Sequence, residues 1–433
     1  MIKIYDTMTR SLRDFVPLTE NVVNMYVCGP TVYNYIHIGN ARSAVAFDTI
    51  RRYFEYCGYT VNYISNFTDV DDKIIKAANE AGISTKELSD KFIAAFMEDT
   101  GQLGIKPATQ NPRVINYMDE IIAFVSTLVD KGFAYVSEGD VYFRVAKSNN
   151  YAKLANKTLE DLEIGASGRT DGETERKENP LDFALWKAAK EGEVSWDSPW
   201  GPGRPGWHIE CSVMATEILG DTIDIHGGGA DLEFPHHTNE IAQSEAKTGK
   251  TFANYWMHNG FVNVDNEKMS KSLGNFVTVH DMLQTVDGQV LRFFLATQQY
   301  RKPINFTEKA IHDAEVNLKY LKNTHSLPLT EQVNQAELQT YLDAFQEAMD
   351  DDFNTANGVT VLFDMAKWIN SGNYDQTVKD AFEKMLQVFG IVFEEEVLDE
   401  DIEKLIEERQ AARANKDFAT ADRIRDELAA QGI

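Results

Sequence analysis

Two short stretches of this chain carry residues suited to holding phosphate groups. Residues 37–40 read His-Ile-Gly-Asn, and residues 268–272 read Lys-Met-Ser-Lys-Ser. The first stretch combines a histidine with a glycine that lets the backbone approach a ligand closely, at the predicted start of a helix, where free N–H groups favour anions. The second offers two lysines that neutralise phosphate charge. Together they predict an ATP site in which the phosphates are held while an acyl group attacks the α-phosphorus.

Each stretch has an ordinary alternative explanation when it is taken alone. His37 is also compatible with a buried structural histidine before an ordinary helix, and Lys268 and Lys271 with a solvated loop. The combination favours phosphate chemistry, with His37, Lys268 and Lys271 acting on the transition state and His37, Gly39, Asn40 and Lys271 contacting ATP. The lysine loop is expected to close over the bound nucleotide.

A second set of residues has the side chains that zinc prefers. These are two cysteines, a histidine and a carboxylate, namely Cys28, Cys211, His236 and Glu240. Cys28 ends a predicted strand, and His236 and Glu240 are four residues apart, so they are expected to share a helix face. The spacing is too scattered to prove a metal site, since an isolated cysteine is more often an inert buried residue. His237 is a rival ligand that the sequence alone does not exclude.

The order of predicted elements indicates how these residues are positioned. Strand-like runs at 22–28 and 59–64 alternate with predicted helices at 40–57 and 71–81, and this β-α-β-α order favours a parallel sheet. Residues 166–180 are read as a surface loop and residues 197–206 as irregular. Strand-like runs resume at 222–226 and 255–264. The fold class is therefore α/β: a Rossmann-like parallel-sheet domain, split by an insertion, and then an all-α helical bundle.

The C-terminal third has the apolar periodicity of a helix bundle. Three stripes with helical spacing predict its core: Leu338, Leu342, Phe345 and Met349; Val359, Leu362, Phe363 and Ala366; and Phe382, Leu386 and Phe389. Beyond them, residues 394–408 hold nine acids and one lysine, and residues 409–425 hold five basic residues and two acids. The basic stretch is either a solvated helix face or a strip that faces RNA.

Composition limits the class of protein. The 433 residues carry a formal net charge of −26, which argues against broad adhesion to nucleic acid but leaves room for a local basic strip. We find no apolar run long enough to span a membrane and no signal-peptide pattern at the N-terminus. Three cysteines do not make a disulfide framework, so a cytoplasmic location is expected.

Beyond these patterns, the chain resembles the class I aminoacyl-tRNA synthetases through residues 37–40 and 268–272. It departs from the usual His-Ile-Gly-His at Asn40, which should weaken some phosphate or ribose contact. Further strings over nearly the whole chain are similar to the cysteinyl-tRNA synthetase family: residues 28–33, 66–73, 205–212, 227–232, 234–237, 240–243 and 350–355. The run Asp69, Asp71 and Asp72 within them is read as a charge cluster at a helix N-terminus.

The resemblance implies a function and assigns residues to it. It implies that L-cysteine is activated with ATP and then transferred to tRNA-Cys. It also implies one Zn²⁺, which binds the substrate thiolate and gives selectivity for cysteine, and Mg²⁺ that accompanies ATP. Its zinc ligands correspond to Cys28, Cys211, His236 and Glu240. Its cysteine pocket corresponds to Thr31, Thr68, Trp207 and Asp231, where Asp231 pairs with the substrate ammonium and Trp207 forms a wall. By residue type alone, Trp207 is equally compatible with a core aromatic.

The resemblance also implies a monomer and a division into six parts. These are residues 1–120 and 206–265 for the two halves of the catalytic domain, 121–205 for the insertion, 266–320 for the lysine loop and stem-contact region, 321–393 for the bundle, and 394–433 for a shortened anticodon-binding region. Because the family normally continues further, weakened tRNA charging with intact adenylate formation is expected. Two alternatives remain: a cysteine ligase of the mycothiol-synthesis type, which uses a small amine as acceptor, and a paralogue that binds without turnover.

Overall fold

The computed structural model describes residues 1–166, 174–394 and 400–433. It divides into two compact units, Met1–Ile391 and Val392–Ile433. The strands of the first unit are β1 (Lys3–Asp6), β2 (Ser11–Asp14), β3 (Val22–Val27), β4 (Thr60–Ser65), β5 (Ala134–Ser137), β6 (Asp140–Phe143), β7 (Phe183–Ala188), β8 (Gly203–Pro205), β9 (Ile223–Gly229), β10 (Ala253–Asn259), β11 (Val262–Val264), β12 (Glu267–Lys268) and β13 (Ile304–Phe306).

Helices surround and follow these strands. In the first unit they are α1 (Ile38–Tyr56), α2 (Asp72–Ala81), α3 (Thr85–Gln102), α4 (Met118–Asp130), α5 (Leu159–Ala166), α6 (Trp207–Leu219), α7 (Thr238–Thr248), α8 (Val279–Met282), α9 (Gly288–Ala296), α10 (Glu308–His325), α11 (Gln335–Asp350), α12 (Thr355–Asn370) and α13 (Gln376–Val388). The second unit contains α14 (Glu400–Ala414) and α15 (Phe418–Ala430). No helix of the described residues is both long and apolar enough to cross a membrane.

The central sheet is parallel, as predicted, with the strand order β10-β9-β3-β4. Strand β3, the first of these strands along the chain, lies between β4 and β9. The chain therefore adds β4 on one side of β3 and later adds β9 and β10 on the other side. Such a switch point opens a crevice at the carboxyl ends of the strands, where α/β proteins bind ligands. Cys28 follows β3 directly, and Gly227–Gly229 ends β9, so this edge carries several of the predicted site residues.

The first two helices match their predicted positions closely. Both are N-capped by a side chain: His37 accepts a hydrogen bond at the start of α1, and Asp71 accepts one at the start of α2. Gly82 ends α2 with a φ of 67°, a left-handed conformation that glycine adopts without steric cost. The predicted Rossmann-like arrangement is therefore confirmed at the elements that lead into the site.

The insertion contains a second sheet that the sequence predicted only in part. Strands β5, β6, β7 and β8 form an antiparallel sheet, whereas the sequence of this region shows one strand-like run, at residues 141–145, which overlaps β6. The prediction that residues 197–206 are irregular is wrong at Gly203–Pro205, which pairs with β7. Gly203 fits there because a Cβ atom would overlap Trp186, so the residue that suggested a loop is needed for close strand packing. Of the predicted surface loop at 166–180, residues 167–173 lie outside the described residues.

Helices α10–α13 form the predicted bundle. The stripe residues Leu338, Phe345, Met349, Leu362, Ala366, Phe382, Leu386 and Phe389 are buried, whereas Leu342, Val359 and Phe363 are partly buried. In the second unit, α14 and α15 pack as an antiparallel hairpin through Ala412, Ala421, Ile424 and Leu428. Of the five basic residues at 409–425, Arg413, Lys416, Arg423 and Arg425 are exposed, and Arg425 pairs with its acidic neighbours Asp422 and Asp426.

Candidate active site

The four predicted metal ligands meet in one buried cluster at the carboxyl edge of the sheet. The Cys28 sulfur lies 3.6 Å from that of Cys211, 3.4 Å from Nε2 of His236 and 3.6 Å from Oε2 of Glu240. Nε2 of His236 lies 3.2 Å from the same glutamate oxygen. Ligand atoms around a tetrahedral zinc ion, with bonds of about 2.0–2.3 Å, are about 3.3–3.8 Å apart. The spacing of these four donors therefore fits such an ion.

Distant elements supply the four donors. Cys28 follows β3, Cys211 lies on α6, and Glu240 lies on α7. His236 belongs to the short π-helical turn Glu233–His237, which leads into α7. The expectation that His236 and Glu240 share a helix face is met by this turn together with the first turn of α7, rather than by one continuous α-helix.

His237, the rival ligand, also reaches the cluster. Its Nε2 lies 3.5 Å from the Cys28 sulfur and 3.8 Å from Oε2 of Glu240. With His226 it completes a second group of four donors, Cys28, His226, His237 and Glu240. In that group His226 contacts the other glutamate oxygen at 2.8 Å. The structure thus brings both adjacent histidines to the site.

Sequence reasoning missed the imidazoles that surround the cluster. Nδ1 of His208 lies 3.0 Å from Nδ1 of His236, and Nε2 of His258 lies 2.8 Å from Nδ1 of His237. Each candidate histidine ligand therefore has a partner for its second ring nitrogen, an arrangement that orients metal-binding histidines. The available signal was positional: His226 lies within β9, the strand beside β3, and His258 lies near the carboxyl end of β10, the next strand.

Electrostatics within the cluster favour the presence of a cation. Burial, followed by the neighbouring Cys211 and Glu240, raises the pKa of the Cys28 thiol well above its usual range. Burial also raises the pKa of Glu240 and lowers that of His236 far below its ordinary value. Packing anionic donors this closely in a buried site is costly unless a positive charge compensates for them. The donor set and its surroundings therefore fit a bound zinc ion.

The predicted cysteine-pocket residues lie around this cluster. Thr31 and Thr68 pair in a parallel bridge between the segments that follow β3 and β4. Asn66, another residue that sequence reasoning did not single out, accepts from the Gly29 N–H at 3.0 Å and donates to Oγ1 of Thr68 at 3.1 Å. A Cβ on Gly29 would overlap the Asn66 carbonyl, so glycine is required at this turn.

Trp207 and Asp231 are accessible from solvent. Trp207 is 45% exposed and stacks on His236 with ring centroids 4.4 Å apart, so the core-aromatic alternative is wrong. Asp231 lies in the turn after β9. Partial desolvation by the surrounding protein raises its pKa, and the charge of Lys268 opposes that shift. The lysine loop therefore lies near the carboxylate that was expected to bind an ammonium group.

His37 is fixed at the start of α1 by a reciprocal pair of hydrogen bonds with Asn40. The Asn40 N–H donates to Nδ1 of His37 at 3.1 Å, and the His37 N–H donates to the Asn40 side-chain oxygen at 3.2 Å. Burial, then the charges of Lys271 and Lys73, lower the pKa of His37 to about 4. A neutral ring whose Nδ1 accepts carries its proton on Nε2, where it is a donor. The side-chain oxygen of Asn40 therefore accepts a hydrogen bond within the helix cap.

The two phosphate-binding stretches meet in the folded chain. The Lys271 ammonium lies 5.4 Å from the ring centroid of Phe276, and that ring contacts His37 at 5.5 Å. The His37 N-cap pairs with Thr278, just beyond the loop. Ser270 and Lys268 are tied to Asn275, whose oxygen accepts from the Ser270 N–H and whose amide donates to the Lys268 carbonyl. Stretches about 230 residues apart are therefore joined at one end of α1.

The run of acids after β4 behaves as predicted. Asp71 caps α2, Asp69 pairs with Arg113 at 2.9 Å, and Asp72 pairs with Arg204. None of the three belongs to a group of metal donors in the described part of the chain. Their charges are used in helix capping and ion pairs.

Three family models match successive parts of the chain. A family model for the class I (C) tRNA synthetase catalytic domain matches residues 14–316, a DALR domain model matches 344–394, and a cysteinyl-tRNA ligase anticodon-binding model matches 395–433. The chain is 95% identical to a cysteine–tRNA ligase of Streptococcus thermophilus (strain CNRZ 1066), over all of this chain and 97% of that one. It is 84% identical to that of Streptococcus pyogenes serotype M6 (strain ATCC BAA-946 / MGAS10394), with the same coverage.

Solved structures share the fold at low identity. A Mycobacterium tuberculosis methionyl-tRNA synthetase in complex with methionyl-adenylate matches with a TM-score of 0.62 at 15% identity. The match covers 85% of this chain and 89% of that one. At this identity the likeness supports the class I fold alone, a parallel-sheet domain followed by helices.

Proposed function

The chain belongs to the class I cysteinyl-tRNA synthetase family, and from this premise we propose how its site works. It activates L-cysteine with ATP and transfers the cysteinyl group to the 3′ end of tRNA-Cys. The observation that carries this proposal is the cluster of Cys28, Cys211, His236 and Glu240, which lies at the same sheet edge as the phosphate-binding end of α1.

In this proposal Cys28, Cys211, His236 and Glu240 hold one zinc ion per chain. A bound zinc ion would act as a Lewis acid that accepts the substrate sulfur as a ligand, and this bond would discriminate cysteine from serine. His208 orients His236 through the contact between their Nδ1 atoms, and His226 orients Glu240. Serine lacks the thiolate, so the site rejects it without a second, editing site.

The remaining pocket residues position the rest of cysteine. Asp231 binds the substrate ammonium, and Trp207, stacked on His236, forms a wall that keeps water from the thiol. Thr31 and Thr68, which pair with each other after β3 and β4, form the bottom of the cysteine pocket. These contacts hold the substrate carboxylate towards the nucleotide, which reduces the entropy cost of the reaction.

The phosphates of ATP bind at the end of α1. Nε2–H of His37 donates to phosphate oxygens, and Gly39 leaves room for them beside the imidazole. Lys268 and Lys271 neutralise the charge that develops on the leaving pyrophosphate, and Asn40 maintains the cap that orients His37. Magnesium is expected to accompany ATP.

The partners and organisation complete the proposal. We expect tRNA-Cys, L-cysteine and ATP as substrates, a monomer, a cytoplasmic location and the six-part division inferred from the sequence. The mycothiol-type ligase is not favoured, because a DALR domain and a cysteinyl-tRNA ligase anticodon-binding domain follow the catalytic domain. A binding protein without turnover is disfavoured because every presumed catalytic position is occupied by a suitable side chain.

Exchange of labelled pyrophosphate into ATP tests the activation step. The zinc-loaded protein should support exchange with cysteine and show a far lower rate with serine, and a chelator should abolish the preference together with the bound zinc. Labelled cysteine should then appear on tRNA rather than on a small amine. Absence of cysteine-dependent exchange with zinc present would overturn both enzyme hypotheses, and transfer to the amine alone would favour the ligase.

A further inference from the structure

Lys73 occupies a position that is electrostatically unfavourable for a cation. It lies in the first turn of α2, where the positive end of the helix dipole disfavours an ammonium group. Three aspartates are close in sequence, but each has another partner: Asp69 binds Arg113, Asp71 caps the backbone of α2, and Asp72 binds Arg204. Within the described residues the Lys73 ammonium has no ion pair, so the structure gives no carboxylate that would account for its location.

The ammonium of Lys73 instead lies over Tyr33. It is 5.5 Å from the ring centroid, and the ammonium of Lys271 is 5.7 Å from the same centroid. Cation–π contacts thus bring a lysine from α2 and a lysine from the loop 198 residues later to the same tyrosine ring. An anion that lies near both ammonium groups would be attracted by both charges and would reduce the repulsion between them.

Both lysines also act on His37. After burial, the charges of Lys271 and Lys73 are the next causes that lower its pKa. Along the chain, Tyr33 lies between the cysteine-pocket residue Thr31 and His37, the N-cap of α1. Lys73, Lys271 and His37 are therefore near the phosphate-binding end of α1, linked through the rings of Tyr33 and Phe276.

We propose that Lys73 is a third basic contact for the triphosphate of ATP, acting with Lys271, which contacts the same Tyr33 ring. This inference rests on the proposed function and deepens it. In the activation step a carboxylate oxygen of cysteine bonds to the α-phosphorus, and the bond from that phosphorus to the bridging oxygen breaks. Pyrophosphate leaves with the electron pair, and Lys73 neutralises part of its charge.

Lys73 and Lys271 have different roles in ATP binding because a helix holds the backbone of Lys73, whereas Lys271 lies on a loop. Lys73 stands on a helix anchored by the buried residues Ile74 and Ala78, whereas Lys271 is exposed on a loop that follows the two-residue strand β12. Lys73 is therefore a fixed contact that is present before ATP arrives, and Lys271 is the contact that closes afterwards. A fixed charge favours initial ATP binding and also holds pyrophosphate in the reverse reaction.

Charge-neutral variants test the proposal. Lys73→Met, with Lys73→Gln as a second uncharged variant, should raise the dissociation constant of pyrophosphate and the KM for ATP by about 10- to 100-fold, the range expected for losing a charge-assisted contact. Lys73→Arg should restore most of the loss. Lys76→Met is the matched control: Lys76 is exposed one turn further along α2 and has no ring contact in the described residues.

Two measurements separate this inference from the proposed function. Calorimetric titration of pyrophosphate into the zinc-loaded full chain, without cysteine, reports phosphate binding directly, and pyrophosphate exchange reports KM for ATP against kcat. If Lys73→Met and Lys73→Gln bind pyrophosphate as tightly as Lys76→Met does, the proposal for Lys73 is overturned. If wild type binds pyrophosphate but shows no cysteine-dependent exchange, the proposed function fails, while the comparison of the three variants still decides the role of Lys73.

Discussion

The imidazole of His37 and the side chain of Asn40 satisfy each other's backbone N–H groups at the start of α1. This reciprocal cap determines which nitrogen of His37 faces a ligand, because Nδ1 is already an acceptor. It also gives Asn40 a structural task that a comparison of sequence strings does not reveal. The departure from the usual His-Ile-Gly-His string therefore affects the helix start as well as the nucleotide.

His37 should make the protein less stable in acid. Burial, then Lys271 and Lys73, lower its folded pKa to about 4 from an unfolded value of 6.5. Between these values the unfolded chain binds the proton and the folded chain does not, so the free energy of unfolding falls as pH drops from 6.5 towards 4. Above pH 6.5 this contribution to the pH dependence vanishes. Urea unfolding at a series of pH values measures the slope.

The control for this prediction is His37→Gln, which cannot be protonated. Its slope between pH 6.5 and 4 should be shallower than that of wild type. Proton NMR of wild type should show no titration of the His37 ring near neutrality. A His37 pKa close to 6.5 in the folded protein would contradict the prediction.

Substitutions at Asn40 should separate capping from phosphate binding. Asn40→Ala removes the acceptor and is expected to lower the free energy of unfolding by about 1 kcal/mol. Asn40→Asp keeps an acceptor and places a negative charge at the helix N-terminus, so stability should be maintained while the charge repels ATP and raises its KM. Thermal unfolding and exchange kinetics measure the two effects. Equal loss of stability in both variants would show that the cap does not depend on the side-chain oxygen.

Zinc content should distinguish the two adjacent histidines. His236→Asn is expected to lose the metal, because Nε2 of His236 is within 3.4 Å of the Cys28 sulfur and 3.2 Å of Oε2 of Glu240. His237→Asn should keep about one zinc ion per chain, since four ligands remain. Elemental analysis after gel filtration gives the stoichiometry for both variants. The opposite result would assign the site to the group that contains His226 and His237.

Asp231→Asn should weaken cysteine binding selectively. Loss of the carboxylate removes a charge-assisted contact with the substrate ammonium, so KM for cysteine should rise by about 10- to 100-fold while KM for ATP changes little. Desolvation raises the pKa of Asp231, so this carboxylate should be protonated at a higher pH than an ordinary aspartate. The affinity of the wild type for cysteine should therefore already fall in mild acid. The variant should lack this pH dependence. A parallel rise in both KM values would argue for a general disturbance of the pocket.

Stability should depend strongly on the ion pair between Asp48 and Arg292. The Arg292 guanidinium is fully buried and contacts Asp48 at 2.6 Å. Although burial opposes ionisation, Arg292 and Arg52 hold the pKa of Asp48 below its usual value. Asp48→Asn leaves a buried cation unpaired and should lower the free energy of unfolding by about 3–5 kcal/mol in urea. The control is Asp90→Asn, at a partly exposed pair with Arg113 and Lys86, which should cost no more than about 1 kcal/mol.

The sequence was most informative where local rules determine structure. The positions of α1 and α2, the acidic N-terminus of α2 and the apolar stripes of the bundle depend on neighbours within a few residues, so periodicity and residue type predict them. The β-α-β-α order similarly constrains the sheet to be parallel. The short strand at Gly203–Pro205 was missed because its stability comes from pairing with β7, whose position the local sequence does not encode.

What the sequence determined by itself was the chemistry available: thiols, imidazoles and a carboxylate for a metal, and a histidine and lysines for phosphates. What only the tertiary structure decided was their combination. It brought Cys28 within 3.6 Å of Cys211 across 183 residues and put His226 in contact with Glu240 and His258 in contact with His237. It also brought Lys73 and Lys271 to the same Tyr33 ring. The reason is physical: strand order and helix packing fix long-range distances, and no spacing along the chain specifies them.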